Sequence, residues 1–481
     1  MNDMFKADPR IWSGALAAAL ALTACTPTVK PITGPVATKF SEPDSALAPA
    51  DLSVWWTAFD DPLLNKVVDE SFAQNITLQQ AVLRVREARA LGRQTIAGVL
   101  PTLDAVGSVT STEALDGPGL VNSTGGFDDR QTTAVYGPSA IWEVPLFGRI
   151  QAAGVGYKGT ILAATAAARG TRATLAADAA QAYVDLRAAQ SRAQLLDQSA
   201  TALESIRAAN QKQVDAGILS TGDFARTQSL AANARARAET AQAVLRRALD
   251  RVAVLRGIAP GTDALEAELA KTAPVPNFTA GAPRSTPANL LRARPDIAQA
   301  EAAALQQAAL VGVARNDLLP QLTLGGQINI YDTVSGQPFS GGGTQGVLNA
   351  AVSMPLWDWG SRLANVTVQK SRFKSAMLGY RDTVNNAVAE AQGALATFAR
   401  TQRAADLARE SEAAAFRRDN AQAALYRVGI SSLNDRLDAT NDLITARLDR
   451  TAAEADAAAA AIAVYRAFGG AAQPPKPTKS S

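Results

Sequence analysis

Hydrophobic and polar positions follow two different rhythms along this chain. In Gln321–Ile330, Leu322, Leu324, Gly326, Ile328 and Ile330 fall on one face, and Thr323, Gly325, Gln327 and Asn329 on the other. Val347–Leu356 repeats the pattern, with Leu348, Ala350, Val352 and Met354 set against Asn349, Ala351 and Ser353. A period of two over about ten residues predicts strands, and ~9–11 residues is what a tilted strand needs to cross a bilayer. Thr102–Thr112 and Thr132–Val144 alternate more weakly and form the matching pair. The segments inside each pair, Glu113–Arg130 and Asp332–Thr344, are rich in Gly, Ser and Asp and read as loops.

Elsewhere the rhythm is helical. No proline occurs between Pro145 and Pro260 or between Pro355 and Pro474, and both windows are filled with Ala, Leu, Arg and Gln. Proline costs ~3 kcal/mol inside a helix, so each window predicts a long helical hairpin. Each is broken once, at Gly217-Ile218-Leu219-Ser220-Thr221-Gly222-Asp223 and at Gly429-Ile430-Ser431-Ser432-Leu433-Asn434-Asp435. A glycine that ends one helix and a Ser/Thr with Asp behind it that starts the next are the expected tip chemistry. Gly217 to Gly429 and Asp223 to Asp435 are both separated by 212 residues, which marks an internal duplication. Upstream, Leu100-Pro101-Thr102-Leu103 pairs with Leu319-Pro320-Gln321-Leu322, and Val144-Pro145-Leu146-Phe147 with Met354-Pro355-Leu356-Trp357. Each repeat therefore reads helix, strand, loop, strand, long helix, tip, long helix. A helix of about 65 residues would reach roughly 100 Å. Four strands cannot close a membrane barrel alone, because open edges are not tolerated in lipid, whereas three copies would supply twelve.

Composition narrows the chemistry. The 481 residues are 47% hydrophobic, 5% aromatic and 19% charged. About one residue in five is alanine, several-fold above ordinary usage, which suits long helices packed closely. There is no histidine, so His-based triads, general bases and zinc sites are excluded, and one cysteine excludes an intramolecular disulfide or a Cys-cluster metal site. A net charge of +3 without basic runs gives no reason to expect nucleic acid. No phosphate loop or nucleophile elbow stands at a strand–helix junction. Neither an enzyme nor a cofactor is expected.

At the N-terminus, Lys6 and Arg10 precede the apolar run Ile11–Leu22, which is too short to span a membrane. Leu22-Thr23-Ala24-Cys25 follows and looks like a bacterial lipobox, with Cys25 as the lipid-bearing residue. Thr26, rather than Asp, after the cysteine resembles lipoproteins sorted to the outer membrane. The expected layout is a signal peptide at 1–24, a lipid-anchored tether at 25–50, a first repeat at 51–258, a linker at 259–286, a second repeat at 287–470 and a disordered tail at 471–481.

An ordered set of motifs resembles the TolC-like outer-membrane efflux proteins, in the lipoprotein branch. These are Trp56-Thr57-Ala58-Phe59-Asp60-Asp61-Pro62-Leu63, Ile141-Trp142-Glu143-Val144-Pro145-Leu146-Phe147-Gly148-Arg149 and Ala182-Tyr183-Val184-Asp185-Leu186-Arg187. They continue in Leu290-Leu291-Arg292-Ala293-Arg294-Pro295-Asp296-Ile297, Leu437-Asp438-Ala439-Thr440 and Tyr465-Arg466-Ala467-Phe468-Gly469-Gly470. Pro145 stands where the family commonly has Asp, and Ala293 where it often has Arg. The resemblance implies a mixed α+β, mostly α fold: four transmembrane strands per chain in a trimeric twelve-stranded barrel, continued by long helical hairpins as a periplasmic α-barrel. It implies a homotrimer, anchored in outer-membrane lipid and extending into the periplasm, that passively exports small toxic compounds or drugs. Its partners would be a periplasmic adaptor (membrane fusion) protein and an inner-membrane RND-type pump. Protein secretion of the type I kind and a lipid-anchored periplasmic adaptor are the competing readings. The paired strands argue against the adaptor, which needs no lipid-facing alternation.

The resemblance also assigns residues. Asp435 and Asp438 share a helix face and would ring a periplasmic aperture, although Asp435 equally suits the first turn of its helix. Asp223 and Tyr426 align with a tip latch in similar proteins, or Tyr426 simply packs between helices. Ser431 stands where some relatives carry an Arg for a second latch, and Arg427 and Arg436 are nearby substitutes. Gly217, Ile218, Leu219, Gly429, Ile430 and Leu433 would form adaptor-docking tips, or helix ends capping themselves. Arg294-Pro295-Asp296 reads as helix-start chemistry. Trp55, Trp56, Trp357 and Trp359 are candidate interfacial anchors.

Overall fold

The computed structural model describes residues 50–113, 115, 120–121, 127–128, 130–283, 293–333 and 343–472. Cys25, the leader, nearly all of the tether, Leu290 to Arg292 and the tail beyond 472 lie outside the described residues. Two compact units emerge, and each draws on both sequence repeats.

One unit is built from Arg86–Ala163 and Ala300–Tyr380. Its antiparallel sheet joins β1 (Thr102–Glu113), β4 (Arg130–Val144), β5 (Gln321–Thr333) and β6 (Gly343–Ser353) in the order β1-β4-β5-β6. A two-stranded hairpin, β2 (Leu120–Val121) with β3 (Phe127–Asp128), lies in the segment between β1 and β4. The repeats thus supply one hairpin each, joined where Trp142 opposes Leu324 and Ala140 opposes Gly326. The strands reach further into the predicted loops than alternation showed: Glu113 pairs with Arg130 in the ladder, and their side chains form an ion pair at 2.8 Å. At the other end β6 stops at Ser353, short of the predicted Leu356, because Pro355 has no N–H for a ladder. Every residue of β1 and of β6 is exposed, and both are open edges of this sheet.

Helices α2 (Ile76–Ala97), α3 (Arg149–Asp215), α6 (Pro295–Asn316) and α7 (Ser361–Arg427) contribute their sheet-proximal segments to this unit. Gly92 of α2 lies against Tyr157 of α3 so closely that a Cβ would overlap the ring. The strand-to-helix junctions show the duplication at backbone level. Phe147 and Gly148 have φ of 54° and 86°, and Trp359 and Gly360, 212 residues on, have 57° and 82°. Phe147 therefore corresponds to Trp359 rather than to Trp357, since the second junction carries two additional residues.

The other unit comprises the described parts of Thr33–Val85, Ala164–Gln299 and Arg381–Ser481. It contains α1 (Pro62–Gln74), α4 (Thr221–Arg256), α5 (Ala264–Leu269), α8 (Leu433–Ala467) and most of α3 and α7. Its core centres on a short turn, Trp55–Phe59. Trp55 stacks on Tyr465 at 5.8 Å, Trp56 meets Phe72 edge-on at 5.5 Å, and Phe59 meets Phe278 at 4.9 Å. Trp55 and Trp56 are 0% and 2% exposed, so they are core residues and not interfacial anchors. Alternation gives no hint of this, because the tryptophans sit in a short turn that has no period. The expected anchors Trp357 and Trp359 are 78% and 89% exposed. Ala458, Ala460 and Ala461 of the Ala-rich run are buried in close helix packing, and no helix among the described residues is long and apolar enough to cross a membrane.

Candidate functional site

The two hairpin ends share the same helix-stop and helix-cap bonds. Helix α3 ends in a left-handed Gly217 (φ 67°), with Gly217 N donating to Val214 O at 2.9 Å and Ile218 N to Gln213 O at 2.8 Å. Helix α7 ends in Gly429 (φ 76°), with Gly429 N donating to Tyr426 O and Ile430 N to Leu425 O, both at 3.0 Å. This pair of bonds satisfies the last carbonyls of each helix and requires a residue that tolerates positive φ. The following helices are capped alike: the Ser220 and Ser432 hydroxyls accept from the Asp223 and Asp435 amides at 3.1 Å and donate to their carboxylates at 2.7 Å. Ser432 N also donates to Asp435 Oδ2 at 3.1 Å, completing a capping box.

Apolar residues crown these ends. Ile218, Val428 and Ile430 are 77%, 68% and 75% exposed, and Leu219 is half-buried. Leu433 opens α8, but its side chain lies outside the described residues. The Asp435 carboxyl is held below the usual carboxylate range, first by the Ser432 hydroxyl, then by the Ser432 amide and the Arg418 charge. Asp438 is exposed and makes no hydrogen bond or ion pair among the described residues. Asp223 and Tyr426 are not hydrogen-bonded to each other within the chain, and Tyr426 is 42% exposed. Ser431 donates to Gln422 Oε1 at 2.9 Å, Arg427 donates to Ala423 O at 3.3 Å, and Arg436 is committed to Asp419 and to Thr440 Oγ1.

Behind the ends the hairpins differ, which the matching tip motifs do not reveal. The α3–α4 hairpin is closed by Ala200, Leu203, Ala231, Ala234 and Ala238, with Leu437 of α8 packed against them. A buried Asn210 donates to Thr227 Oγ1 at 3.0 Å near its end. Two exposed ion pairs also cross the α3–α4 hairpin, Arg235–Asp197 at 3.2 Å and Arg251–Asp185 at 3.6 Å, whereas the α7–α8 hairpin is crossed by a denser and more shielded ladder: Arg409–Glu454 at 3.0 Å, Arg447–Glu412 at 3.2 Å, Arg450–Glu412 at 2.6 Å, then Arg418–Asp442 and Arg436–Asp419. The signal for this was in the sequence as inward-spaced charges, but it is inseparable there from a solvated face.

Two further motifs prove to be fasteners of the unit that carries the hairpins. Tyr183 Oη donates to Asp61 Oδ2 at 2.6 Å and accepts from Arg187 Nη2 at 2.9 Å. Arg187 Nη1 donates to Gln190 Oε1 and Lys271 O, both at 2.8 Å, and Asp61 Oδ1 caps α1 through Leu63 N. Burial, and then the bond to Asp61, push the Tyr183 hydroxyl's pKa well above its ordinary value. Arg294 grips Asp296 with two bonds, Ala467 O at 2.8 Å and Glu390 at 2.7 Å, so Arg294-Pro295-Asp296 ties the start of α6 to α7 and α8 as well as initiating it. Burial raises the Asp296 pKa, but the Arg294 bonds and charge outweigh it and hold the carboxyl low. Arg294, Pro295, Asp296 and Glu390 line a cleft of about 740 Å³. No cluster able to hold a metal ion occurs among the described residues.

A sheet of open-edged, exposed strands joined to two long helical hairpins is the architecture of an outer-membrane channel subunit. The chain belongs to the outer membrane efflux protein family, whose model matches residues 67–257 and 286–470. It is 28% identical over 432 residues to nodulation protein T of Rhizobium leguminosarum bv. trifolii, covering 88% of this chain and 90% of that protein. With outer membrane protein OprJ of Pseudomonas aeruginosa it shares 28% identity over 393 residues, 81% of each chain. The solved outer-membrane channel OprN superposes with a TM-score of 0.79 at 28% identity, covering 92% of this chain and 99% of that one.

Proposed function

We propose that this chain is the outer-membrane channel of a tripartite efflux system and passes small toxic compounds outward without chemistry of its own. The observation that carries the reading is the sheet with two open edges, β1 and β6, whose residues are exposed throughout. Unpaired backbone groups are costly in hydrocarbon, so the edges must be paired by further copies of the chain. Three copies give twelve strands, above the roughly eight at which bacterial barrels begin. Lipid on Cys25 anchors the chain to the outer membrane. The apolar crowns at Gly217–Leu219 and Gly429–Leu433 receive a periplasmic adaptor, which links the channel to an inner-membrane RND-type pump. Asp435 and Asp438 of three chains then place six carboxylates around one axis, a ring that favours cations. Asp223 and Tyr426 serve as the tip latch when neighbouring hairpins close.

The test is single-channel conductance of the purified protein in planar bilayers, with its mass in detergent measured alongside. A mass of about three chains and small cation-preferring currents that lose selectivity in Asp435→Asn/Asp438→Asn are expected. A monomer that forms no pore would refute the reading. Export-deficient cells carrying Cys25→Ser, with the protein recovered off the outer membrane, would show the anchor to matter.

A further inference from the structure

The junction between β6 and α7 carries chemistry that the conduit does not use. Met354, Leu356, Trp357 and Trp359 are 56%, 86%, 78% and 89% exposed. The two indoles meet edge-to-face at 5.7 Å, and Trp359 is held at a φ of 57°, a left-handed conformation that bulky side chains seldom adopt. Its counterpart in the first repeat, Phe147, shares the left-handed backbone at a φ of 54° but is half-buried, and Arg149 beside it is ion-paired with Glu143. After the second junction, no acidic residue occurs from Trp359 to Arg381, whereas Arg362, Lys370, Arg372 and Lys374 all stand exposed. Asp358 is the one acid in the turn. It accepts from Gly360 N and Arg362 N at 3.1 Å and lies 4.0 Å from the Arg362 guanidinium.

We propose that this junction is a docking surface for anionic phospholipid headgroups, with the Trp357–Trp359 pair set at the boundary between headgroups and acyl chains. The proposal rests on the reading that the strands span a membrane. Continuity identifies the occupant. Met354 and Leu356 prolong the row begun by Leu348 and Val352, 92% and 71% exposed, on the face of β6 that the bilayer would cover. The row crosses an apolar groove of about 360 Å³ that includes Leu103, Ala140 and Ile328. Indole rings, apolar with one polar N–H, settle where such a face meets water. Charge then selects the lipid. Arg362 stands in the first turn of α7, and Lys370, Arg372 and Lys374 follow about 12–18 Å further along the helix, their long stems leaning back toward the strand end. At low ionic strength, where the Debye length is about 30 Å, all four charges lie within the field of a headgroup plane at the strand end and attract anionic lipid. A protein partner would not need the apolar row to run on into the strand.

The experiment reconstitutes the full chain into vesicles of phosphatidylethanolamine in which either the same lipid or phosphatidylglycerol carries brominated acyl chains, and reads tryptophan quenching. Brominated phosphatidylglycerol is expected to quench about fivefold more effectively than the zwitterionic lipid at equal mole fraction. Trp142, on the same sheet face as Leu348 and Val352, gives a quenched background in every variant; above it, Trp357→Phe/Trp359→Phe removes the phosphatidylglycerol-selective component, and Arg362→Gln/Lys370→Gln/Arg372→Gln/Lys374→Gln brings the ratio close to one. Retention of the preference by the charge-conserving Arg362→Lys/Arg372→Lys, with its oligomer intact, supports the charge assignment should the Gln variant fold poorly. Equal quenching by both lipids overturns the headgroup site while leaving the strands in the membrane. No quenching by either overturns the membrane reading beneath it.

Discussion

Tyr183→Phe removes one oxygen atom from the interior of the unit that bears the hairpins, and its cost can be worked from the bonds that atom makes. The hydroxyl donates to Asp61 Oδ2 at 2.6 Å and accepts from Arg187 Nη2 at 2.9 Å. Tyr183 and Arg187 are 0% and 1% exposed, so water does not replace either bond. Asp61 keeps its cap on α1 through Oδ1, and its loss is one charge-assisted bond, about 1.5–3 kcal/mol. Arg187 is worse placed. Its Nε already lacks a partner in the interior, and Nη2 would join it, a further 1 kcal/mol or more. Since α1 and the Leu269–Lys271 segment are both held through this network, the variant should lower the local opening free energy there by about 3 kcal/mol. At 1.4 kcal/mol per decade that is roughly a hundredfold faster amide exchange. Hydrogen exchange with mass spectrometry on peptides from 62–74 and 264–271 measures it, with 210–223 at the hairpin end as the unaffected control. Acceleration below threefold, or the same acceleration at the hairpin end, would refute the assignment of the network as a local fastener. Because burial and Asp61 raise the hydroxyl's pKa, the neutral form is the one the fold prefers. Its contribution is complete below about pH 10 and is lost only as pH rises through the elevated folded value.

Arg436→Gln should loosen the α7–α8 end selectively, because Asp419 is 9% exposed and loses its cation; with partial solvent screening the cost is about 1–2 kcal/mol, read as roughly tenfold faster protease nicking around Gly429 than around Gly217. In the wild type, raising salt from about 0.1 to 1 M should act in the same direction, since the α3–α4 hairpin is closed mainly by alanine and leucine and its two crossing ion pairs are exposed, whereas α7–α8 carries the denser, more shielded ladder. For Asp435 the folded carboxyl lies below its ordinary 3.8, so its cap is complete above that value and is lost as pH falls through the lower folded one. Exchange at the start of α8 should rise in the wild type in that acid window and stay flat with pH in Asp435→Asn. Gly92→Ala forces a Cβ into the Tyr157 ring and should cost about 1–3 kcal/mol, measured as a lowered melting point and lower yield of folded protein, with α2–α3 packing as the cause.

The legible parts of this molecule are those that local rules decide. Period-two alternation located all four long strands, and the spacing of glycine and Ser-x-x-Asp located both hairpin ends, because a helix stop and a helix cap are each settled within a few residues. The duplication carried that reading into detail: Ser220 and Ser432, Gly217 and Gly429 make the same bonds. Strand ends were missed where a rule other than alternation intervened, as at Pro355. Trp55 was misplaced because a short turn has no period, and what buries it, Tyr465, lies some four hundred residues away. The same distance hides the difference between the hairpins. Arg436 and Asp419 straddle Gly429 as any surface pair would, and only the packing of α7 against α8 turns them inward. Equal ends on unequal shafts have a physical consequence. A seam of small apolar side chains flanked by two exposed ion pairs changes little with salt and acid, whereas a ladder of half-buried ion pairs weakens more with both. Of two hairpins with matching tips, the second is therefore the one whose packing responds more strongly to salt and acid.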